Sequence, residues 1–442
     1  MKPIIKEILR RYISQSIIDR YHRNRDSIRN FPAVVRYIYD RFRYSIILCQ
    51  LRRKVQKGPL NIIFLATYGQ GWKYASLYRL MQKDPHFSPI VLVCPTVNRG
   101  HEKMLEVLDD TYEYFKVNGY NVVCAYDKKS ENYLNISQFK PHIVVYTNPY
   151  KGLIDDRYYI DKIKKSLTFY VCYGVDINPF NWCYALELHQ RVWRHFVGTQ
   201  DDIGYAQKWS PWAISNRVVT GCPVYEMITQ GSSSPKNWKN TDRKFKRIIY
   251  APHHTIEGNT GLLHFSTFLE YGEFILELAK KYKDKVQFVF KPHPLLRFNL
   301  ENHPAWGKER TDAYYRQWEE GENTNFVNGI YVDLFNSSDA MIHDCASFMY
   351  EYMCTQKPVL FLANSIDMGQ YNKLGVALYE NHYKANSKEE LVKFIEDVVL
   401  GDKDPMKEKR IAIYDKYIFP PNGLTAAENM LNHLKQELKI ID

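Results

Sequence analysis

Short apolar runs alternate with helix-period segments along most of this 442-residue chain, and that alternation restricts the fold more than any other feature. Strand-type runs fall at 62–66, 90–94, 121–125, 143–146, 168–172, 195–197 and 217–220, with helical stretches such as 73–82, 102–116 and 157–165 between them. Strands separated by helices imply parallel sheets joined by right-handed crossovers. The pattern lapses at Gly231-Ser-Ser-Ser-Pro235 and the polar residues after it, then restarts with strands at 247–251, 286–290, 340–342 and 359–362. Ser387 and Glu390 form a capping-box signature for a helix through Val399, and an amphipathic helix at 424–438 ends the chain. The expected organisation is a Rossmann-like domain over 58–230, a linker at 231–245, a second Rossmann-like domain over 246–415 and a helix in 416–442. Ligands of such sheets collect at the carboxyl ends of the strands, so the site is expected in the cleft between the domains.

Charge is distributed unevenly. Residues 1–57 hold 15 Lys/Arg against 4 Asp/Glu, and the remaining 385 are balanced at 45 against 45. Lys2, Lys6 and Arg10 share one helical face opposite Ile5, Leu9 and Ile13, and the pattern restarts after Pro32 with Arg36, Arg41 and Arg43 among apolar residues. Basic amphipathic helices of this kind lie on anionic membrane surfaces, against the alternative of a solvated hairpin packed on the body. Segment 1–57 is therefore expected to be a membrane-associating appendage whose removal leaves a folded, near-neutral body. No nucleic-acid motif accompanies the patch, so nucleic acid is not an expected partner. The eight cysteines show no CxxC spacing and read as reduced thiols. No signal peptide and no transmembrane run is recognised, which points to a cytoplasmic, peripheral location on the inner membrane face.

Several strand ends carry chemistry. The apolar strand at 286–290 empties into Lys291-Pro292-His293-Pro294, where flanking prolines hold the imidazole at the strand mouth. Lys291 and His293 are suited to neutralising a pyrophosphate leaving group. Tyr250-Ala251-Pro252-His253-His254-Thr255 ends another strand; no carboxylate stands at ligand spacing, so His253 and Thr255 are read as phosphate or acceptor contacts and no metal is assigned. Segment 337–362 reads strand, polar turn, helix, strand, which presents Ser347 and the first helix amides to an anion. Glu351 lies one turn further, where a carboxylate can accept from ribose hydroxyls. In the first half, Thr67-Tyr68-Gly69-Gln70-Gly71-Trp72 matches neither GxGxxG nor a Walker loop, and Tyr173-Gly174-Val175-Asp176 follows another strand.

The ordered series of these pieces resembles the CDP-glycerol glycerophosphotransferase-like family of teichoic acid and capsule synthesis, which has the GT-B fold. Thr220-Gly221-Cys222-Pro223 looks like its TGxP turn, Tyr250-Ala251-Pro252 like its YAP strand end, and Lys291 with His293 like its basic-x-His element. Ser338-Asp339, Ile342-His343-Asp344, Ser347 and Glu351 are similar to its SD…ITDYSS…D block, and Lys357-Pro358 to its KP. The resemblance implies an α/β GT-B fold, two Rossmann-like domains facing a cleft, plus the N-terminal basic helical appendage. It implies donor binding by His253, Thr255, Lys291, His293, Ser338, Asp344, Ser347 and Glu351. Gly71, Tyr173 and Gly174 would stand on the acceptor side. The family's loop histidine, the suspected base, is replaced by Tyr173 next to Gly174, and its paired serines by Ala346-Ser347 after Cys345. Asp176 is the nearest carboxylate and takes the base's place, with His293 as the other catalytic residue. The implied activity moves glycerol phosphate or a related polyol phosphate from a CDP-linked donor to a lipid-linked or glycan acceptor, with no bound cofactor. A sugar-nucleotide glycosyltransferase, a sugar-nucleotide epimerase and a non-enzymatic membrane-bound partner are the rival readings.

Overall fold

The computed structural model describes residues 27–69, 71–98, 100–241, 244–256, 266–329, 331–363 and 368–441. It divides into two compact units, the first running to Pro223 and taking back Pro420–Asp442, the second spanning Val224–Phe419.

The first unit is built on β1 (Leu60–Ala66), β2 (Phe87–Val93), β3 (Val122–Cys124), β6 (Ile143–Tyr146), β7 (Leu167–Val171), β8 (Arg194–Val197) and β9 (Arg217–Val219), with a side hairpin of β4 (Tyr126–Asp127) and β5 (Asn132–Tyr133). The main strands are parallel in the order β3-β2-β1-β6-β7-β8-β9. Leu60 pairs with Phe87 and Ile62 with Ile143, which fixes the register of the central strands. Ile62, Ile63 and Phe64 are all fully buried, as expected of a strand covered on both faces. The second unit holds β10 (Lys246–Ala251), β11 (Val286–Phe290), β12 (Thr324–Phe326), β13 (Ala340–His343), β14 (Val359–Leu362) and β15 (Tyr383–Ala385), parallel in the order β12-β11-β10-β13-β14-β15. Both orders reverse direction once, between β1 and β6 and between β10 and β13. Those two switch points are where loops diverge and open a crevice at the carboxyl edge. The expected α/β class with two Rossmann-like sheets is what the chain forms.

Three regions are organised differently from the sequence reading. The appendage is the first. Residues 1–26, with Lys2, Lys6 and Arg10, lie outside the described residues, but Ser27–Lys54 forms a helix that is part of the first unit. Its Tyr44, Ile47 and Leu51 join the main core of that unit. Asp40 is fully buried and accepts from Arg43 Nη2 at 3.1 Å and Arg191 Nε at 2.9 Å. Arg41 Nη1 donates to Trp193 O at 2.6 Å, and Arg43 Nη1 to Lys164 O at 2.8 Å. Two arginines that the charge pattern offered to lipid are thus consumed by carbonyls and a carboxylate. Removing 1–57 would strip this face of the core rather than release an independent tail. The opposite face leaves Phe31, Val35, Tyr39, Phe42 and Ile46 exposed at helical spacing.

The second region is the expected linker. Trp238 Nε1 donates to Ser337 Oγ at 2.8 Å, and Asn240 exchanges hydrogen bonds with the buried Gln287 side chain at 2.8 and 2.6 Å. These bonds pin the segment onto the second unit, and the boundary falls earlier, after Pro223. The third is the end of the chain. The Ala426–Leu438 helix opens with a Thr425/Glu428 capping box, Glu428 N to Thr425 Oγ1 at 3.1 Å and Thr425 N to Glu428 Oε2 at 2.8 Å. Its Met430, Leu434 and Leu438 enter the first unit's core beside Leu77 and Met81.

Candidate active site

In the second unit the β10–β11 ladder continues past the strand ends. Lys291 N donates to Tyr250 O at 2.7 Å and His293 N to Pro252 O at 3.0 Å. The two loops stay zipped, which brings together rings far apart in sequence. His253 and His254 lie 4.4 Å apart between centroids, His254 and His293 4.2 Å, and His253 and His293 5.2 Å. Their ring nitrogens can all come within 4.8 Å of one another, a spacing that admits a metal ion. The sequence reading counted only the adjacent pair; the fold supplies the third imidazole.

The surrounding bonds favour an anion at that point. Thr255 N reaches His253 Nδ1 at 3.3 Å and Leu295 N reaches His293 Nδ1 at 3.2 Å. A nitrogen that accepts a backbone N–H carries no proton, so each neutral ring bears its proton on Nε2. Burial lowers the pKa of all three, His253 to about 3, with the His254 and His293 rings adding to the shift, and His293 to about 4, with His254 and the Lys291 charge adding to it. Near neutral pH His253 and His293 are therefore uncharged, and with Nδ1 accepting a backbone N–H each offers an Nε2–H donor suited to a phosphate oxygen.

Asp344 clamps this arrangement across the switch point. It is fully buried, and its Oδ1 accepts from His253 N at 2.5 Å while Oδ2 accepts from Thr267 N at 2.6 Å and Thr267 Oγ1 at 2.9 Å. Burial pushes its carboxyl up to about 6 against those hydrogen bonds. Lys291, Tyr331 and Glu351 form a second group. Lys291 is buried with its Nζ 5.7 Å from the centre of the Tyr331 ring, and the Tyr331 hydroxyl donates to Glu351 Oε2. Burial lowers the Lys291 pKa, opposed by Cys345 and the Glu351 carboxylate. Ser347 is exposed at the start of the Ala346–Glu351 helix, its Oγ 3.4 Å from Cys345 Sγ.

The structure thus brings His253, Thr255, Lys291, His293, Asp344, Ser347 and Glu351 to one edge of the second sheet. Ser338 stands apart. It precedes β13, at the opposite end of the strand, and is buried with its Oγ donating to Phe335 O and 2.8 Å from Tyr352 Oη. Tyr331 has no motif around it; only its ring between Lys291 and Glu351 reveals it.

The carboxyl edge of the first unit is chemically different. Tyr173 is exposed after β7, its hydroxyl 3.1 Å from that of Tyr150. Gly174 and Asp176 line a small cavity with Cys172, Cys183, His195 and Asp202. Burial raises the Asp176 carboxyl to about 7, the Asp202 charge adding to the shift and a Cys183 hydrogen bond opposing it. Asp202 itself is raised to about 6 by burial, although Thr199 N donates to its Oδ2 at 2.8 Å. Asp202 closes a capping box with Thr199 at the start of the Gln200–Trp209 helix, and no sequence motif marks it as part of a site. Gly71 turns the loop after β1 with φ +69°, and Gly69 packs so close that a Cβ would meet the Tyr114 ring at 2.4 Å.

The model of the CDP-glycerol:poly(glycerophosphate) glycerophosphotransferase family matches residues 212–434. Among solved structures, the wall teichoic acid polymerase TagF is similar at 14% identity and a TM-score of 0.52 over 93% of this chain and 98% of that one. A UDP-bound S. aureus MnaA is similar at 15% identity and 0.54 over 86% and 98%. The UDP-GlcNAc 2-epimerase from Neisseria meningitidis bound to UDP-GlcNAc stands at 16% and 0.54 over 85% and 99%. At such identities the likeness is one of fold, the two-Rossmann GT-B arrangement. No curated protein sequence matches the chain.

Proposed function

Because the chain belongs to the CDP-glycerol:poly(glycerophosphate) glycerophosphotransferase family, we propose that it transfers glycerol phosphate, or a related polyol phosphate, from a CDP-linked donor to a lipid-linked or glycan acceptor during synthesis of a cell-surface polymer. The observation that carries this reading is the convergence of the His253, His254 and His293 rings and the Lys291 ammonium at the β10/β13 switch point, a set of N–H and charge donors.

The acceptor hydroxyl attacks the donor β-phosphorus in line. A new oxygen–phosphorus bond forms as the α–β anhydride bond breaks, CMP leaves, and the hydroxyl proton passes to a base. Asp176, with a carboxyl near pH 7, is the base of this reading, since a pKa close to the working pH gives both an ionised acceptor and a useful driving force. His253 and His293 donate from Nε2 to the departing phosphate oxygens, Lys291 supplies charge, and Ser347 joins them at the edge. Glu351, oriented by Tyr331, takes the ribose hydroxyls. Catalysis is mostly positioning and electrostatics. Tyr173, Gly174 and Gly71 stand on the acceptor side.

The location proposed is peripheral, on the inner face of the membrane. Among the described residues no helix is long and apolar enough to cross a bilayer. Phe31, Val35, Tyr39, Phe42 and Ile46 instead form one exposed stripe on the Ser27–Lys54 helix, the arrangement of an interfacial contact to anionic lipid.

Mass spectrometry of products formed from CDP-glycerol, CDP-ribitol and a panel of sugar nucleotides tests the reading. Polyol-phosphate transfer from a CDP donor is the expected outcome. Product from sugar nucleotides alone would make the protein a glycosyltransferase of the same fold.

A further inference from the structure

Cys172 and Cys222 stand 50 residues apart in sequence and show no paired spacing there. The fold of the first unit brings them together. Cys172 directly follows β7, and Cys222 follows β9 in the Thr220-Gly221-Cys222-Pro223 turn, with β8 between the two strands. Beyond the end of β8 their sulfurs lie 3.9 Å apart. Both are free thiols. Cys172 is half-buried and lines the cavity shared by Gly174, Asp176 and Cys183, whereas Cys222 is buried.

A disulfide needs its sulfurs about 2 Å apart, so one side of this contact has to move for a bond to form. The turn that carries Cys222 is held firmly. Thr220 N donates to Val197 O at 3.0 Å, and Asn429 Nδ2 donates to Thr220 O at 3.3 Å. Gly221 packs so closely that a Cβ on it would meet the Pro420 Cβ at 2.7 Å. On the other side β7 is anchored as far as Val171, whose carbonyl accepts from Tyr74 Oη at 3.1 Å. Past that point Tyr173 is exposed, and a side chain added at Gly174 would meet open space. Closure therefore moves Cys172 and the loop 173–176 rather than the turn. The hydrogen bond with Cys222, together with burial, holds the Cys172 thiol well above its ordinary pKa. Little thiolate forms at neutral pH, and the pair stays reduced until oxidant is plentiful.

We propose that Cys172 and Cys222 form a reversible redox pair that switches the loop 173–176. With a peroxide as oxidant, the Cys172 sulfur attacks a peroxide oxygen, the O–O bond breaks, one water leaves and Cys172 becomes a sulfenic acid. The Cys222 sulfur then attacks the Cys172 sulfur. The S–S bond forms, the S–O bond breaks, and a second water leaves with the Cys222 proton. Two thiols are oxidised, one peroxide is reduced, and a thiol reductant reverses the change. The closed pair draws the loop toward the turn and takes Asp176 from its working position. Only this last effect rests on the transferase reading; the bond and the loop movement do not.

Peptide mapping by mass spectrometry of the full chain, before and after hydrogen peroxide, tests the bond, and hydrogen exchange of the segment 173–176 tests the loop. A Cys172–Cys222 crosslink should appear, exchange in 173–176 should slow, and dithiothreitol should reverse both. Transfer from CDP-glycerol should fall about 10²-fold in the oxidised protein, the cost of displacing a positioned group by an ångström or more. Cys222→Ser should form no crosslink and keep most of its rate and its exchange through the same treatment. The proposal would be overturned by both thiols remaining free after oxidant, by Cys172 joined to Cys183 instead, or by a crosslink that leaves exchange in 173–176 unchanged. Equal loss of rate in Cys222→Ser, or transfer by the oxidised protein at the reduced protein's rate, would also overturn it. Absence of transfer by the reduced protein would count against the donor reading, while the peptide map and the exchange would still decide this one.

Discussion

The two sheet edges have the same topology and opposite chemistry. Both switch points lie where a strand order of 3-2-1-4 type turns back on itself. At the second unit's edge the functional groups are largely buried and their backbones are bonded to one another, with His253 and His293 neutral and Lys291 sunk beside Tyr331. At the first unit's edge the rings of Tyr68, Tyr150 and Tyr173 face solvent, and the titratable groups are carboxylates with raised pKa values. A phosphate needs preorganised N–H donors, which cost least when the protein holds them fixed in advance. An incoming hydroxyl needs a surface to rest on and a base. On the proposed function, the second unit's edge holds the donor phosphates and the first unit's edge takes the acceptor.

The sharpest way to break this contrast is to remove a donor from the anion-holding edge. His293→Ala should lower kcat by about 10²–10³-fold, the effect of deleting one preorganised hydrogen-bond donor, and steady-state transfer assays would show it. A change below about threefold would mean that the ring does not meet the reacting phosphates. Asp176→Asn should cost about 10²-fold, as expected for loss of a general base. The pH profile sharpens the same point. A base works only when ionised, so kcat should rise with pH through about 7 and level off above it. The asparagine variant should lose that limb, whereas the neutral histidines should add no limb between pH 5 and 9, well above their pKa values of about 3 and 4.

Asp344→Ala addresses stability. It leaves the amides of His253 and Thr267 without their acceptor, at a cost of about 3 kcal/mol in denaturant unfolding. Donor affinity should drop with it, because His253 loses its tether. The smallest expected effect on the fold comes from Phe31→Glu/Phe42→Glu on the exposed stripe, within about 0.5 kcal/mol of the parent. The same variant should no longer sediment with anionic liposomes; retained sedimentation would remove the membrane contact from the account.

Much of this was legible in the residues, and the gaps have physical causes. Long apolar strands such as β1 and β11 announce themselves, but β12 (Thr-Asn-Phe) and β15 (Tyr-Lys-Ala) are edge strands of three residues without apolar runs and leave no signal. Lys291-Pro-His293 and His253-His254 were visible separately. That they form one cluster depends on backbone bonds between neighbouring loops, which no local pattern encodes. Ser338 shows the converse, since a motif match placed it with the donor contacts while strand direction puts it at the far end of β13. Arg41 and Arg43 read as lipid-facing charge because helical periodicity does not say which carbonyls a neighbouring segment will offer. Tyr150 was overlooked because a lone tyrosine in an Asn-Pro-Tyr turn is indistinguishable from ordinary loop aromatics until Tyr173 is found beside it.

The central claim, that the β10/β13 edge holds a cytidine-linked donor, is tested most directly by isothermal titration calorimetry of the full chain with CDP-glycerol, set against UDP-N-acetylglucosamine. The account predicts saturable binding of CDP-glycerol that His293→Ala weakens by tenfold or more, about 1.4 kcal/mol, and little heat from the uridine nucleotide. No saturable heat with CDP-glycerol, or equal binding by the alanine variant, would contradict it.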